Sequence, residues 1–192
     1  MDQLSNVTMG IFKNFPDKIY IEKNIILKKI SKVYSIKNYA KNLSKLRNYF
    51  KDYFVDAKPV TLQSTEKYLN EIKKSKNKIM YIIYLKKRII GQYGVHQWEN
   101  NSIGLDGAMR VSKDGPKDLF FKIQKLILKL LKKKINKCSP VIIFHKKNLM
   151  AINLHSKFNF KKVIDKSKLK FFKNYIKSKK NKVSEFYIKE LR

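Results

Sequence analysis

Few side chains in this sequence could move a proton or carry a covalent group. There are three histidines, His96, His145 and His155, and a single cysteine, Cys138. His96 and Asp106 fall on what read as adjacent strands, so the two could face one cleft. His145 ends a short apolar run, Glu99 stands at a turn, and His155 closes a helical stretch. Imidazole exchanges protons near neutral pH, and a carboxylate in a cleft can act as a base. The scattered His and Cys positions show no metal-ligand spacing. Cys138 lies just ahead of an apolar strand and reads as a small packed residue rather than a nucleophile.

A second candidate is a site for an anion. Backbone N–H groups at a helix start bind phosphate. The segment Val111–Asp118 joins an alternating stretch to a long helical one, and Gly115 followed by Pro116 predicts the N-cap and first turn of that helix. Ser112, Lys113 and Lys117 add polar and positive groups. Pro116 removes one donor, and Asp118 would repel phosphate.

These residues need elements to hold them. Residues 18–22 and 25–30 predict two strands around a Lys23-Asn24 turn. Residues 37–54 carry Tyr39, Leu43, Leu46, Tyr49, Phe50 and Phe54 at helical period. Ser64 or Thr65 predicts the cap of a second helix with Tyr68, Leu69 and Ile72 on its apolar face. Strands follow over 79–85 and 89–98, with a turn at Glu99-Asn100-Asn101. From Ser102 to Val111 the pattern alternates, predicting Ile103, Leu105, Gly107, Met109 and Val111 on one face. Asp106 and Arg110 fall on the other. Leu119, Phe120, Ile123, Leu126, Ile127, Leu130 and Leu131 then mark the clearest helix. A buried strand (140–144), a helix (149–158) and two last strands (160–164, 185–188) complete the chain. The Lys-rich stretch 166–182 reads as a loop or partial helix.

At 192 residues, with 43% apolar residues, the chain has the bulk for one folded domain over 1–192, with 1–18 as a loosely attached N-terminal segment. The 45 basic against 14 acidic residues give a net charge of +31. Only Arg47, Arg88, Arg110 and Arg192 of those basic residues are Arg. The lysines are spread along the chain rather than clustered. That reads first as a compositional drift and second as a field that attracts phosphorylated ligands and repels polycations. Nonspecific nucleic-acid binding at low salt would follow from charge alone. One cysteine precludes an intrachain disulfide framework. No signal pattern opens the chain and no window reaches the roughly 18 apolar residues of a membrane span, so it reads as cytoplasmic.

The order β-β-α-α-β-β-β-α-β-α-β-β, a meander followed by βαβ, is an α/β fold with a mixed, largely antiparallel central sheet and helices on both faces. Residues 141–160 then add something specific. Asn148, Ala151, Leu154 and Phe160 follow a β-branched run at the spacing of N-x-x-A-x-x-L-Y-x-x-x-G-F, with His155 at the Tyr position and Asn159 at the Gly position. This unit resembles that of GNAT acyltransferases, and Ile89-Ile90-Gly91 looks like the opening of that family's third strand. Leu46-Arg47-Asn48 with Val60-Thr61 and Glu66 resembles the N-terminal helices of members that acylate nucleotide-linked amino sugars.

The resemblance implies acetyl-CoA as cosubstrate and transfer of its acyl group to a primary amine by direct attack. It implies that Met109, Arg110 and Val111 offer backbone donors to the thioester oxygen. Ser112, Lys113, Gly115 and Lys117 would form the phosphate loop, which departs from the family's Q/R-x-x-G-x-G/A, and Asn148 would contact the cofactor. His155 would stand where the family's Tyr protonates the departing thiolate. Candidate bases are Asp106 and His145, with Glu99 and His96 behind them. The expected acceptor is a nucleotide-linked amino sugar of surface-polysaccharide synthesis. A protein or small-amine acetyltransferase, and a non-catalytic basic module that binds nucleic acid, are the alternatives.

Overall fold

The structure is a computed structural model that describes residues 10–98, 102–135 and 138–191. The turn expected at Glu99-Asn100-Asn101, and with it Glu99 as a base, lies outside the described residues.

One mixed sheet of eight strands runs in the order β1-β2-β3-β4-β5-β6-β8-β7. Its strands are β1 (Lys18–Glu22), β2 (Ile25–Lys29), β3 (Lys78–Leu85), β4 (Arg88–Gln97), β5 (Ile103–Arg110), β6 (Pro140–His145), β7 (Phe160–Lys162) and β8 (Phe186–Leu191). Neighbours are antiparallel except β5 and β6, which are parallel. The helices are α1 (Lys37–Tyr49), α2 (Leu62–Lys74), α3 (Leu119–Lys134), α4 (Leu149–His155) and α5 (Lys166–Ser178). The expected architecture of a largely antiparallel sheet with helices on both faces is what forms.

Two apolar cores flank the sheet. On one face Leu119, Ile123, Ile127 and Leu131 of α3 recur every fourth residue and are wholly buried against Leu27, Ile83, Tyr93, Leu105, Ile142 and Phe144. Each such side chain contributes about 1.5–3 kcal/mol. On the other face Tyr39, Ala40 and Leu43 of α1 and Leu69 and Ile72 of α2 close over Met80, Ile82 and Met109.

Four expectations need correction. First, the segment 1–18 is not loose where it is described, because Phe12 and Phe15 are buried in the α3-side core. Second, α2 is capped by Thr61, not Ser64 or Thr65. Thr61 Oγ1 accepts from Ser64 N (3.0 Å) and Ser64 Oγ accepts from Thr61 N (2.9 Å), a reciprocal box that places Ser64 one turn inside the helix. Third, the Lys-rich stretch after Asp165 is a helix, α5. Asp165 caps it by accepting from Lys168 N (2.7 Å), and Phe172 and Ile176 bury one face.

Fourth, β5 does not keep one alternation. Gln92 pairs with Met109 and Gly94 with Asp106, so Gly107 and Ala108 together oppose Tyr93. That is a β-bulge, and Gly107 takes φ +66, a conformation that side chains resist. The extra residue inverts the faces beyond it. Ile103 and Leu105 enter the α3-side core while Met109 enters the α1-side core.

Candidate functional site

β5 and β6 are paired only at Ile103–Pro140 and Gly104–Val141 and then diverge. A wedge-shaped opening in the middle of the sheet results. Because the two strands are parallel, their C-terminal ends, Arg110 and His145, lie at the same edge. The segment 111–118 and Asn148 therefore flank one opening.

The segment after β5 is shaped by Arg110. Its guanidinium donates to the carbonyl oxygens of Ser112 (2.8 Å), Lys113 (3.0 Å), Asp114 (2.6 Å) and Gly115 (2.9 Å). Of the peptide N–H groups behind those carbonyls, that of Asp114 donates to Ser112 Oγ (3.2 Å) and Pro116 has none, which leaves those of Lys113 and Gly115 for an anion. Asp114 is paired with Arg88 (2.8 Å) and Asp118 with Lys122 (3.0 Å). Both acidic charges near the loop thus have a counter-charge, while Lys113 and Lys117 are exposed. Gly115 is not the N-cap. α3 starts at Leu119 with Asp118 in the cap position, because Leu119 N bonds back to Pro116 O (3.2 Å) in a preceding turn.

Of the three backbone donors expected along 109–111, Val111 is spent, since its N–H bonds to Ile90 O (3.0 Å). Strand alternation turns the N–H of Arg110 to the opposite edge, which faces the opening. Asn148 is the N-cap of α4, its Oδ1 accepting from Ala151 N (3.0 Å).

On the α1/α2 face the bulge presents Asp106. Its carboxyl keeps 54% of its surface open, yet burial pushes its pKa up to about 6 against the pull of Lys78. His96 Nδ1 is 3.9 Å away. Burial first, and Lys78 second, lower the His96 pKa to about 4, so the ring is neutral at pH 7 and makes no ion pair.

The indole of Trp98 stacks on His96 (4.5 Å between ring centroids) and lies over Gly104, where any Cβ would sit 2.5 Å from Nε1. Tyr175 of α5 meets that indole edge-on at 4.6 Å. Burial, and then the charge of Asp106, raise the Tyr68 and Tyr175 hydroxyls, Tyr175 to about 12. Both hydroxyls also feel Arg47, which stacks on Phe54 at 3.9 Å and donates through Nη2 to Asp56 O. Burial lowers the Arg47 pKa, with Asp56 opposing. Its Nη1 is buried and has no hydrogen-bond partner among the described residues.

His145 lies on this same face across the opening, its ring 6.3 Å from that of Tyr53 and its Nδ1 accepting from Lys147 N (3.0 Å). His155 is on the other side of the sheet, stacked with Phe144 (5.2 Å) and edge-on to Phe160 (5.7 Å). Tyr93 donates to Gln124 Oε1 (3.2 Å), and Gln124 Nε2 stands 3.2 Å from His155 Nδ1. Nδ1 accepts in that chain, so the proton sits on Nε2. Burial, then Lys189, lower the His155 pKa to about 4. An imidazolium at neutral pH, one of two forms in which His155 could serve as acid, is therefore ruled out.

The fold thus groups Asp106, His96 and His145 on one face, sets the 111–118 loop and Asn148 at the edge, and sends His155 beneath. Arg47, Tyr68, Trp98 and Tyr175 gather beside Asp106; the sequence reading places Tyr68 on a helix face and Trp98 in a strand, quotes Arg47 only in the resemblance, and leaves Tyr175 in the loop or partial helix 166–182. Among the described residues no group of His, Cys, Asp or Glu could hold a metal ion. No helix there is long and apolar enough to cross a membrane.

No family model and no curated protein matches the sequence. Solved structures do match its shape. The N-acetyltransferase PseH of Campylobacter jejuni superposes with a TM-score of 0.57 at 14% identity, over 88% of this chain and 98% of that one. RimL, a ribosomal L7/L12 α-N-protein acetyltransferase solved with coenzyme A, gives 0.59 at 12% identity, over 74% and 83%. The microcin C7 self-immunity acetyltransferase MccE, solved with acetyl-CoA and AMP, gives 0.57 at 14% identity, over 76% and 83%. At these identities the likeness is one of architecture, and the architecture is specific: the chain has the fold of the GNAT acetyltransferases.

Proposed function

We propose that the protein is an acetyl-CoA-dependent N-acetyltransferase that acylates a primary amine by direct attack. The observation that carries this is the opening between β5 and β6, with a loop gathered by Arg110 at its edge and the carboxyl of Asp106 on one face beside it. Acetyl-CoA supplies the activated acyl group. The loop from Ser112 to Lys117 receives its phosphates, helped by Lys113 and Lys117, with Asn148 at the opposite lip. The Arg110 N–H meets negative charge building on the thioester oxygen. Asp106, deprotonated above about pH 6, takes the proton of the acceptor ammonium. His155 offers a neutral Nε2–H on the side of the leaving sulfur. Cys138 is no relay, because burial raises its pKa and keeps the thiol protonated.

For the acceptor we favour an amine that also carries phosphate, a nucleotide-linked amino sugar. The +31 charge draws such a molecule and repels basic peptides. The buried Nη1 of Arg47, which has no hydrogen-bond partner among the described residues, gives it an anchor, since a buried donor left unbonded is costly. MccE, solved with a nucleotide and acetyl-CoA together, shows that a similar fold accommodates both. The likeness to RimL favours a second reading, a protein N-terminus as acceptor.

Calorimetry with acetyl-CoA, followed by thiol release with UDP- and dTDP-linked amino sugars, small amines and acidic and basic peptides, separates these. Micromolar acetyl-CoA binding and turnover of the sugar nucleotides are expected. Turnover of peptides alone would move the acceptor to proteins. Absence of any acetyl-CoA binding, with tight salt-resistant binding of RNA, would overturn the enzyme reading altogether.

A further inference from the structure

We propose that Gln92 is a positioning residue whose amide holds the β5 bulge in the shape that presents Asp106 to the cleft. The inference rests on the reading of Asp106 as the base. A bulge takes a carbonyl out of the sheet ladder, and a part-buried carbonyl left without a donor still costs some desolvation. Here Gly107 O is that carbonyl, and Gln92 Nε2 donates to it at 3.0 Å. The other end of the same amide is also engaged, since Tyr39 OH donates to Gln92 Oε1 at 2.5 Å.

Gln92 is 4% exposed and Tyr39 3%, so water cannot substitute for the bond between them, and the part-buried Gly107 bond is shielded on its Gln92 side. Burial holds the Tyr39 hydroxyl well above its ordinary pKa, which keeps it a donor. The three groups form a strut from α1, through β4, to the residue of β5 that takes a positive φ. Asp106 is the residue just before that point and Met109 two beyond it. A sheet regularised by one residue would put Asp106 and Met109 on opposite faces. The strut therefore fixes which face the carboxyl serves.

The test uses the full-length protein and Gln92→Met, which keeps the volume and removes both hydrogen bonds. The first readout is the ¹³C-carboxyl NMR titration of Asp106, assigned with Asp106→Asn. Burial sets this titration first and Lys78 on β3 opposes it, while His96 and Tyr93 on β4, Tyr68 on α2 and Tyr175 on α5 are the other titratable groups around the carboxyl. In Gln92→Met the midpoint should move from about 6 toward ordinary carboxylates as the bulge relaxes. The second readout is kinetic: kcat falls about 100-fold, the loss expected of ~1 Å misplacement. The acetyl-CoA Kd stays within about twofold, because the phosphate loop hangs on Arg110 instead. Tyr39→Phe keeps the Gly107 bond but strands the buried Gln92 Oε1, so it should move both readouts in the same direction and by less than Gln92→Met.

If Gln92→Met does not fold, Gln92→Asn is too short to reach both partners, keeps polarity, and should give the same two shifts. A lower Tm with Asp106 titration and kcat both unchanged overturns the proposal and leaves acetyl transfer standing. A wild-type protein that acetylates no amine overturns the acetyltransferase reading, and the NMR titration then decides the role of Gln92 alone.

Discussion

Replacing Arg110 with Met removes the guanidinium that shapes the phosphate loop and keeps the length of its stem. Four carbonyls lose a donor at 2.6–3.0 Å, those of Ser112, Lys113, Asp114 and Gly115. A hydrogen bond from a charged donor contributes about 1.5–3 kcal/mol where water is excluded. The Lys113 and Gly115 bonds are exposed, so water replaces them at little cost. The part-buried bonds to Ser112 and Asp114 count at about 1.5 kcal/mol each, giving about 3 kcal/mol in all.

That energy belongs to the order of one surface loop, so it should appear in ligand affinity and not in global unfolding. At 1.4 kcal/mol per decade, the acetyl-CoA Kd should rise about 100-fold. Calorimetry at 0.15 M salt, where the long-range field of the lysines is screened, measures it. Arg110→Lys, with one compact ammonium, should recover only part of the loss. An Arg110→Met protein that binds acetyl-CoA within about threefold of wild type, at wild-type Tm, would show that the loop holds its shape without this side chain.

Asp106→Asn should lower kcat about 10²–10⁴-fold. In the wild type, kcat/KM should fall as pH drops through about 6, where the Asp106 carboxyl takes up its proton, and the variant should lack that limb. If the limb persists in Asp106→Asn, another group is the base. His155→Phe fills the ring slot between Phe144 and Phe160 but leaves the wholly buried Gln124 Nε2 without its acceptor, so Tm at pH 7 should fall by the equivalent of about 1–3 kcal/mol, and kcat should fall about tenfold with no change in pH profile. Full kcat in that variant would end the donor role of His155. The same variant tests linkage. Folded His155 has a pKa near 4 against an ordinary 6.5, so the unfolded chain binds more protons between those values, and stability is lost as pH falls across them. His96 adds to that loss, while Asp106, raised to about 6, opposes it. Removing His155 should make the fall of Tm between pH 6.5 and 4 shallower, and an unchanged slope would contradict its burial as a neutral ring.

The long-period signals in the sequence were legible because each has a single physical cause. The α3 stripe at Leu119, Ile123, Ile127 and Leu131 is apolar burial, and Asn148 before α4 is local capping chemistry. The features that shape the cleft are not periodic. The bulge shows in the sequence only as Gly107 inside an alternating strand, a known sign of irregular pairing that plain alternation overrides. α5 was hidden because seven lysines between 166 and 180 mask the i, i+4 pair Phe172 and Ile176. The Arg110 loop could not be foreseen from glycines, since a side chain there organises the backbone. One compositional clue was available. In a chain this rich in Lys, Arg47, Arg88 and Arg110 all turn out to be engaged around the cleft or its loop, where a planar fork of donors does what an ammonium cannot.

The brief seam between β5 and β6 has a mechanical consequence. Among the described residues, two residue pairs stitch the strands of one leaf, β1 to β5, to those of the other, β6 to β8. Outside the sheet, α5 leans back across the join, Trp98 packing on Phe172 and Asn181 reaching Val55 O. A thioester lodged along the seam acts as a splint. Occupancy should stiffen both leaves together, so that amides as remote as those of β2 and β8 exchange more slowly when the seam is filled.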